Sequence, residues 1–324
     1  MQNNRNNSQG ISPLISFIIT TYELPFEYLK VCIQSVLRLS LSEVEREIIV
    51  IDDGTKVSQI NEIIKLCPDI IYLWQANQGL SMARNAGIHN ATGKYIQFVD
   101  GDDYLIQVPY EHCLDIVRYH NPDVVIFDAT QSNITETPFS FTGPETGSSY
   151  MFNYNLHARA WGYIFRKAIL MNLRFTPGIF HEDEEFTPLL YLRAEKLYFT
   201  SSKAYFYRKR QHSITQENKV QQRLQRLTDI EHIIFHLQDI SEKLPRNARV
   251  ALKRRIAQLS MDYLYNTIVL TKSEKHLNKA IRHLHSRNLF PLPDKEYTRK
   301  YTVFRKVINS NVGRKLMLIT LPQL

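Results

Sequence analysis

The 324-residue chain has little of what marks an extracellular or membrane-spanning protein. It holds three cysteines, Cys32, Cys67 and Cys113, far apart and without C-x-x-C spacing, which argues against a disulfide framework or a structural zinc site. Each stands in an apolar context and reads as a small core residue of a reducing compartment. No apolar run approaches the ~18 residues that a membrane-crossing helix needs. The opening MQNNRNNSQGISP is polar and lacks the apolar core of a signal peptide, so residues 1–12 read as a frayed tail on a cytoplasmic protein. Eleven glycines and thirteen prolines are too few for a collagen-like or low-complexity architecture.

What is present suits a globular protein. Apolar residues make up 44% of the chain, enough for a sizeable core, and at ~150 residues per domain the length suggests two domains. The net charge of +8 is unevenly spread. Residues 1–202 carry 15 Lys/Arg against 23 Asp/Glu, a net of −8, whereas residues 203–324 carry 25 against 9, a net of +16. That asymmetry bears on partners.

Short apolar runs at 15–20, 47–52, 70–74, 95–99 and 123–127 predict buried strands. Helical spacing between them, over 26–40, 59–66, 79–91 and 108–119, predicts β-α-β units and a largely parallel sheet with helices on both faces. In such sheets ligands lie at the carboxyl ends of the strands. Those ends carry Thr20-Thr21-Tyr22, Asp52-Asp53-Gly54 and Asp100-Gly101-Asp102-Asp103. Residues 129–149 predict a mobile loop, 161–173 and 182–194 helices, and 197–200 and 204–208 strand-like pieces. From 217 onward, long amphipathic patterns at 220–237, 250–270 and 274–287 predict a helical region.

Four constellations could carry chemistry. Asp100, Asp102 and Asp103 after a strand suit magnesium or manganese, hard cations that take carboxylates plus substrate phosphates; the alternative is a solvated turn. Asp52-Asp53-Gly54-Thr55 can accept from a nucleobase or ribose, or can merely turn and cap a helix. Gly79, Ala83 and Gly87 permit close backbone approach, while Arg84 offers a fork of donors to a base or phosphate, or lies in solvent. His181-Glu182-Asp183-Glu184-Glu185 could supply a general base, although acids in a first helical turn also complement the macrodipole.

Together the segments SFIITTY (16–22), IIVIDDGT (48–55), NQGLSMARNAGI (77–88), YIQFVDGDD (95–103) and HEDEEF (181–186) resemble glycosyltransferase family 2, with its GT-A nucleotide-sugar fold. The resemblance implies an α/β catalytic domain over 13–215, and the patterning and charge beyond it give a helical basic region over 216–324. It implies an inverting, metal-dependent transfer from a nucleotide-sugar, by default a UDP-sugar, to a glycan or lipid-linked acceptor in surface polysaccharide synthesis. On this likeness Thr20, Tyr22 and Asp53 cradle the nucleoside and Arg84 meets base or phosphates. Asp102 lies by the ribose or diphosphate, Asp103 holds the cation and Asp100 stands nearby. Asp183 is the base, with Glu182 as second choice. Trp161 stands beside the acceptor or in the core, and Arg208, Arg210 and His212 close over the diphosphate or form a solvated strand end. Three positions depart from the family pattern: Glu23 replaces the usual Asn, Thr55 the usual Ser, and Tyr163 a frequent Lys or Arg.

The basic C-terminal region suits an anionic surface, with its densest cluster at Lys253-Arg254-Arg255 and further pairs at Arg305-Lys306 and Arg314-Lys315. This leads to an expectation of peripheral contact at the inner face of the cell membrane. Two other functions compete. A pI near 9.2 with Tyr263, Tyr265, Tyr297 and Tyr301 among basic residues would fit nucleic-acid binding, but no nucleic-acid motif accompanies them and nucleic acid is not expected as a partner. A nucleotidyltransferase would need a glycine- and lysine-containing phosphate loop near the N-terminus, and ISFIITTYE offers none.

Overall fold

The structure is a computed structural model and describes residues 12–132, 138–209 and 220–321. The chain divides into two compact units. The first comprises the described parts of Met1–Pro144, Arg159–Gly178 and Ala194–Lys209; the second those of Glu145–Ala158, Ile179–Arg193 and Arg210–Leu324.

The first unit is built on a mixed nine-stranded sheet flanked by helices. Strands β1 (Ile15–Thr21), β2 (Arg46–Asp52), β3 (Ile71–Trp74) and β4 (Tyr95–Asp100) run parallel in the order β3-β2-β1-β4. Helices α1 (Phe26–Leu37), α2 (Ile60–Leu66) and α3 (Leu80–Asn90) connect them. Every residue of β1 is buried, the expected outcome for a continuous apolar run covered on both faces. The register sets Thr20 opposite Asp100 of β4, and Thr21 opposite Asp52 of β2. Three polar strand ends therefore stand at one level of one rim.

The sheet continues through β8 (Tyr163–Arg166), β6 (Val124–Thr130), β9 (Leu197–Phe206) and the two-residue β5 (Tyr104–Leu105), with β7 (Phe141–Glu145) also on β9 and α4 (Gln107–His120) between β5 and β6. β8 is antiparallel to both β4 and β6. This corrects the helix expected over 161–173, which is a strand followed by a 3-10 turn, Lys167–Leu170. Tyr163, Ile164 and Phe165 are all buried, and a short run buried throughout has no periodicity to separate strand from helix. The loop expected at 129–149 holds β7 and helix α5 (Gly147–Asn153), the latter capped by Thr146, whose hydroxyl accepts from Ser149 N–H at 3.1 Å. Residues 133–137 of that loop lie outside the described residues.

The second unit is helical: α5, α6 (Glu182–Tyr191), α7 (Val220–Ser241), α8 (Arg246–Thr271), α9 (Glu274–Ser286), α10 (Arg299–Ile308) and α11 (Asn311–Thr320). Leu252, Ile256, Leu259, Leu264 and Ile268 bury α8 among its neighbours. The arginines of the basic cluster are interior too. Arg254 donates to Phe152 O and to Asn155 Oδ1, and Arg255 donates to Leu156 O at 3.0 Å and pairs with Glu184. Lys253 is exposed and pairs with Glu242 at 3.0 Å. The cluster expected to face an anionic surface is thus mostly consumed by holding α8 to its own unit. Among the described residues no helix is long and apolar enough to cross a membrane.

Candidate active site

The rim of the first unit is assembled around Asp53. β2 ends in Asp52 and is followed directly by Asp53, and the two acids have different duties. Asp52 accepts from Thr55 N–H at 2.8 Å and from the Tyr72 hydroxyl at 2.6 Å, closing the turn through Gly54. Asp53 accepts from Gln75 Nε2 at 2.6 Å, Gln78 N–H at 3.0 Å and Gly79 N–H at 2.8 Å. Those backbone donors belong to the approach and start of α3, whose first four N–H groups have no intrahelical partner. Asp53 is therefore first a clamp on the 75–79 segment. A carboxylate offers about four lone-pair sites, so it retains acceptor capacity for a nucleoside.

Tyr22 follows β1 and is 51% exposed, the one aromatic ring on the rim that the sequence singled out. Glu23 after it takes φ +45°, in the left-handed region, where Asn is better tolerated than Glu. This accounts for the usual Asn at this place. Here Thr55 Oγ1 accepts from Glu23 N–H at 3.1 Å, and Glu23 Oε1 accepts from Lys56 N–H at 3.2 Å. Thr20 is buried at the strand end, its carbonyl accepting from Gly101 N–H at 3.0 Å.

Arg84 of α3 does not stand in solvent. It is buried, its guanidinium 5.9 Å from the Phe98 ring centre and 5.3 Å from that of Phe175, and its Nη2 donates to Asp100 Oδ1 at 3.1 Å. Its observed action is to hold Asp100 in place.

The three acids after β4 separate in role. Asp103 is 2% exposed: Oδ2 accepts from the Tyr205 hydroxyl at 2.8 Å and Oδ1 from Arg208 N–H at 2.7 Å. The same Tyr205 oxygen accepts from Asp100 N–H at 3.1 Å, so one hydroxyl ties the end of β4 to β9. Burial first, then the Asp100 charge, push the Asp103 carboxyl up to about 8, against the two hydrogen bonds that favour its anion. Asp100 is partly exposed and salt-bridged to Arg84, and Asp102 is half-buried.

A divalent cation can be tested against these donors. Among the described residues no three His, Cys, Asp or Glu side chains gather as a ligand set. Asp103 is 2% exposed and engaged inward, whereas Asp102 is half-buried at the rim. That fits magnesium or manganese, which take one or two carboxylates and draw their other ligands from substrate phosphates and water. The donors fit a cation on Asp102 better than one on Asp103.

Other expected residues fall variously. Arg208 begins the segment after β9. Its Nε donates to Asp102 O at 2.9 Å, and its guanidinium lies 4.9 Å from the Tyr28 ring centre. Arg210 and His212 lie outside the described residues. Trp161 is 9% exposed and stacked on Tyr205 with centroids 4.3 Å apart, and its carbonyl accepts from Gln97 Nε2 at 2.9 Å. It sits in the core, and Tyr163 is buried in β8 beyond it. Tyr205 and Gln75 were missed by sequence reasoning. The alternation of Tyr205 and Tyr207 before a basic run was the signal available for the first, and nothing local marked the second.

In the second unit the acid patch opens α6, with His181 at φ +62° as its first cap residue. Of its acids, Glu184 pairs with Arg255 and the buried Glu185 meets His236. Nearby, Asp229 accepts from Phe180 N–H at 2.9 Å and fixes the approach to the helix. Glu182 is buried and Asp183 half-buried, so of the two base candidates Asp183 is the more accessible.

Comparison with known proteins agrees with this architecture. Residues 16–173 match the family model described as Glycosyl transferase family 2. The chain is 28% identical over 292 residues to the uncharacterized glycosyltransferase EpsJ of Bacillus subtilis, covering 84% of this chain and 83% of that one. It is 26% identical over 203 residues to the poly(ribitol-phosphate) beta-N-acetylglucosaminyltransferase TarS of Staphylococcus aureus, covering 59% of this chain and 35% of TarS. The crystal structure of TarS 1–349 in complex with UDP-GlcNAc superposes with a TM-score of 0.68 at 18% identity, over 95% of this chain and 90% of that one. The mannosyltransferase PcManGT from Pyrobaculum calidifontis, in complex with GDP-Man and Mn2+, superposes with a TM-score of 0.55 at 12% identity, over 95% and 88%. The fold is GT-A.

Proposed function

Since residues 16–173 are a glycosyl transferase family 2 domain on a GT-A fold, we propose that this chain moves a sugar from a UDP-sugar to a hydroxyl of a glycan or lipid-linked acceptor, with inversion, in the building of a surface polysaccharide. The observation that carries the proposal is the rim itself. Thr20 and Asp100 are in register across β1 and β4, Thr21 and Asp52 across β1 and β2, with Tyr22 and Asp102 at its edge. Tyr22 offers a face to the base, Asp53 an acceptor to base or ribose, and Asp102 its oxygens to a cation on the diphosphate. When bound, that cation supplies neutralisation of the leaving nucleoside diphosphate, so no acid is needed there.

Asp183 takes the proton of the acceptor hydroxyl. The oxygen bonds to the anomeric carbon as the bond from that carbon to the diphosphate oxygen breaks, and the nucleoside diphosphate leaves with the electron pair. One displacement inverts the carbon. The donor reading is supported by the UDP-GlcNAc complex of TarS and the acceptor reading by the name of TarS, while the GDP-Man complex of PcManGT makes the nucleotide a matter for assay.

A screen of UDP-, GDP- and TDP-sugars for manganese-dependent hydrolysis and thermal shift tests this. The expected result is one UDP-sugar that is hydrolysed and raises Tm, and an Asp183→Asn variant that keeps the shift but loses transfer by ~10²-fold or more. No shift with any nucleotide-sugar contradicts the function. Unchanged turnover in Asp183→Asn contradicts the base assignment.

A further inference from the structure

We propose that the outer face of α10 and α11 binds an anionic lipid surface, an inference that stands apart from the reaction. On α11, Val312, Leu316 and Ile319 are 81%, 53% and 65% exposed. Their spacing of four and three places them in one stripe, while Gly313 and Met317 face inward. Val303 of α10 is exposed as well. Lys315 stands three after Val312 and four before Ile319, at the edge of the same stripe, and is exposed, as is Lys306 on α10. Residues 297–324 hold six Lys/Arg and no Asp or Glu.

Not all of these cations face outward. Arg305 is buried against Asp294, and Arg314 donates to Ile308 O at 2.9 Å. Those two hold the helices and Lys300 pairs with Asp262 at 3.3 Å, so Arg299, Lys306 and Lys315 remain for the surface. A helix lying in the plane of a bilayer places its apolar residues at the headgroup–acyl boundary and its lysines among the headgroups. The charge selects the occupant. Pairing of two identical copies through this stripe would bring the same cations face to face, whereas an anionic bilayer meets both the apolar stripe and the charge. The surface thus replaces the interior cluster at 253–255 as the place where the basic half meets lipid.

Flotation of the full chain with phosphatidylcholine vesicles, with and without phosphatidylglycerol, tests the proposal. The expected result is binding only when phosphatidylglycerol is present, weakened by high salt. A Val312→Ser, Leu316→Ser, Ile319→Ser triple variant loses about tenfold or more in partitioning, and Lys306→Gln and Lys315→Gln lose about fivefold each. Circular dichroism and Tm of these variants stay at the parent's values. The proposal is overturned by absence of flotation with phosphatidylglycerol at low salt, by equal flotation of the triple variant, or by light scattering that shows a dimer abolished by that variant.

Discussion

Asp103 is the residue whose surroundings diverge most from its sequence appearance. It stands in a run of acids that suggests a cation, yet it faces Tyr205 and Arg208 inside the unit, with its carboxyl pushed up to about 8 by burial and by Asp100. A carboxyl whose folded pKa lies above its unfolded value of ~3.9 favours the fold most at low pH, and that contribution is lost as pH rises through the folded value. In chelator, the parent should therefore lose Tm between about pH 4 and pH 8 more steeply than Asp103→Asn, as read by thermal melts across that range. Parallel profiles would refute the assignment. Glu23 gives a second residue-level expectation. Its φ of +45° strains a Glu more than an Asn, so Glu23→Asn should raise Tm by about 1–2 °C despite the lost contact to Lys56 N–H, as scanning calorimetry would show.

At the scale of elements, α5 and α6 meet at Gly147, where an added Cβ would lie 1.7 Å from Tyr191 O. Backbone cannot yield as a side-chain tip can, so Gly147→Ala should destabilise by about 2–3 kcal/mol in urea unfolding. The elements show where sequence is informative. The parallel strands β1, β2 and β4 were legible because each is a continuous apolar run ending in polar residues. β8 was not, because three successive buried residues, Tyr163, Ile164 and Phe165, have no period. α10 and α11 escaped because each is only ten residues long, too short for its spacing to stand out from the mixed basic and apolar sequence around it. The site motifs were legible as segments, but the aim of individual side chains was not. Which of Asp100, Asp102 and Asp103 turns inward is decided by Tyr205, about a hundred residues along the chain, and the burial of Arg84 by Phe98 and Phe175.

For the whole molecule, the charge asymmetry was plain in the sequence, but its use was not. Arg254, Arg255 and Arg305 are spent inside the helical unit on carbonyls and carboxylates, because a buried guanidinium must be hydrogen-bonded to be tolerated. In the first unit the acids gather at one rim through strand register, and the account turns on that rim holding a nucleoside diphosphate with a cation on Asp102. Calorimetric titration of UDP into the full chain, with manganese and with chelator, for the parent and for Asp102→Asn, addresses this most directly. The account predicts UDP affinity at least about tenfold higher with manganese in the parent, a change of ~1.4 kcal/mol, and little or no gain in Asp102→Asn. Equal affinity in chelator and manganese, or an undiminished manganese effect in Asp102→Asn, would contradict it.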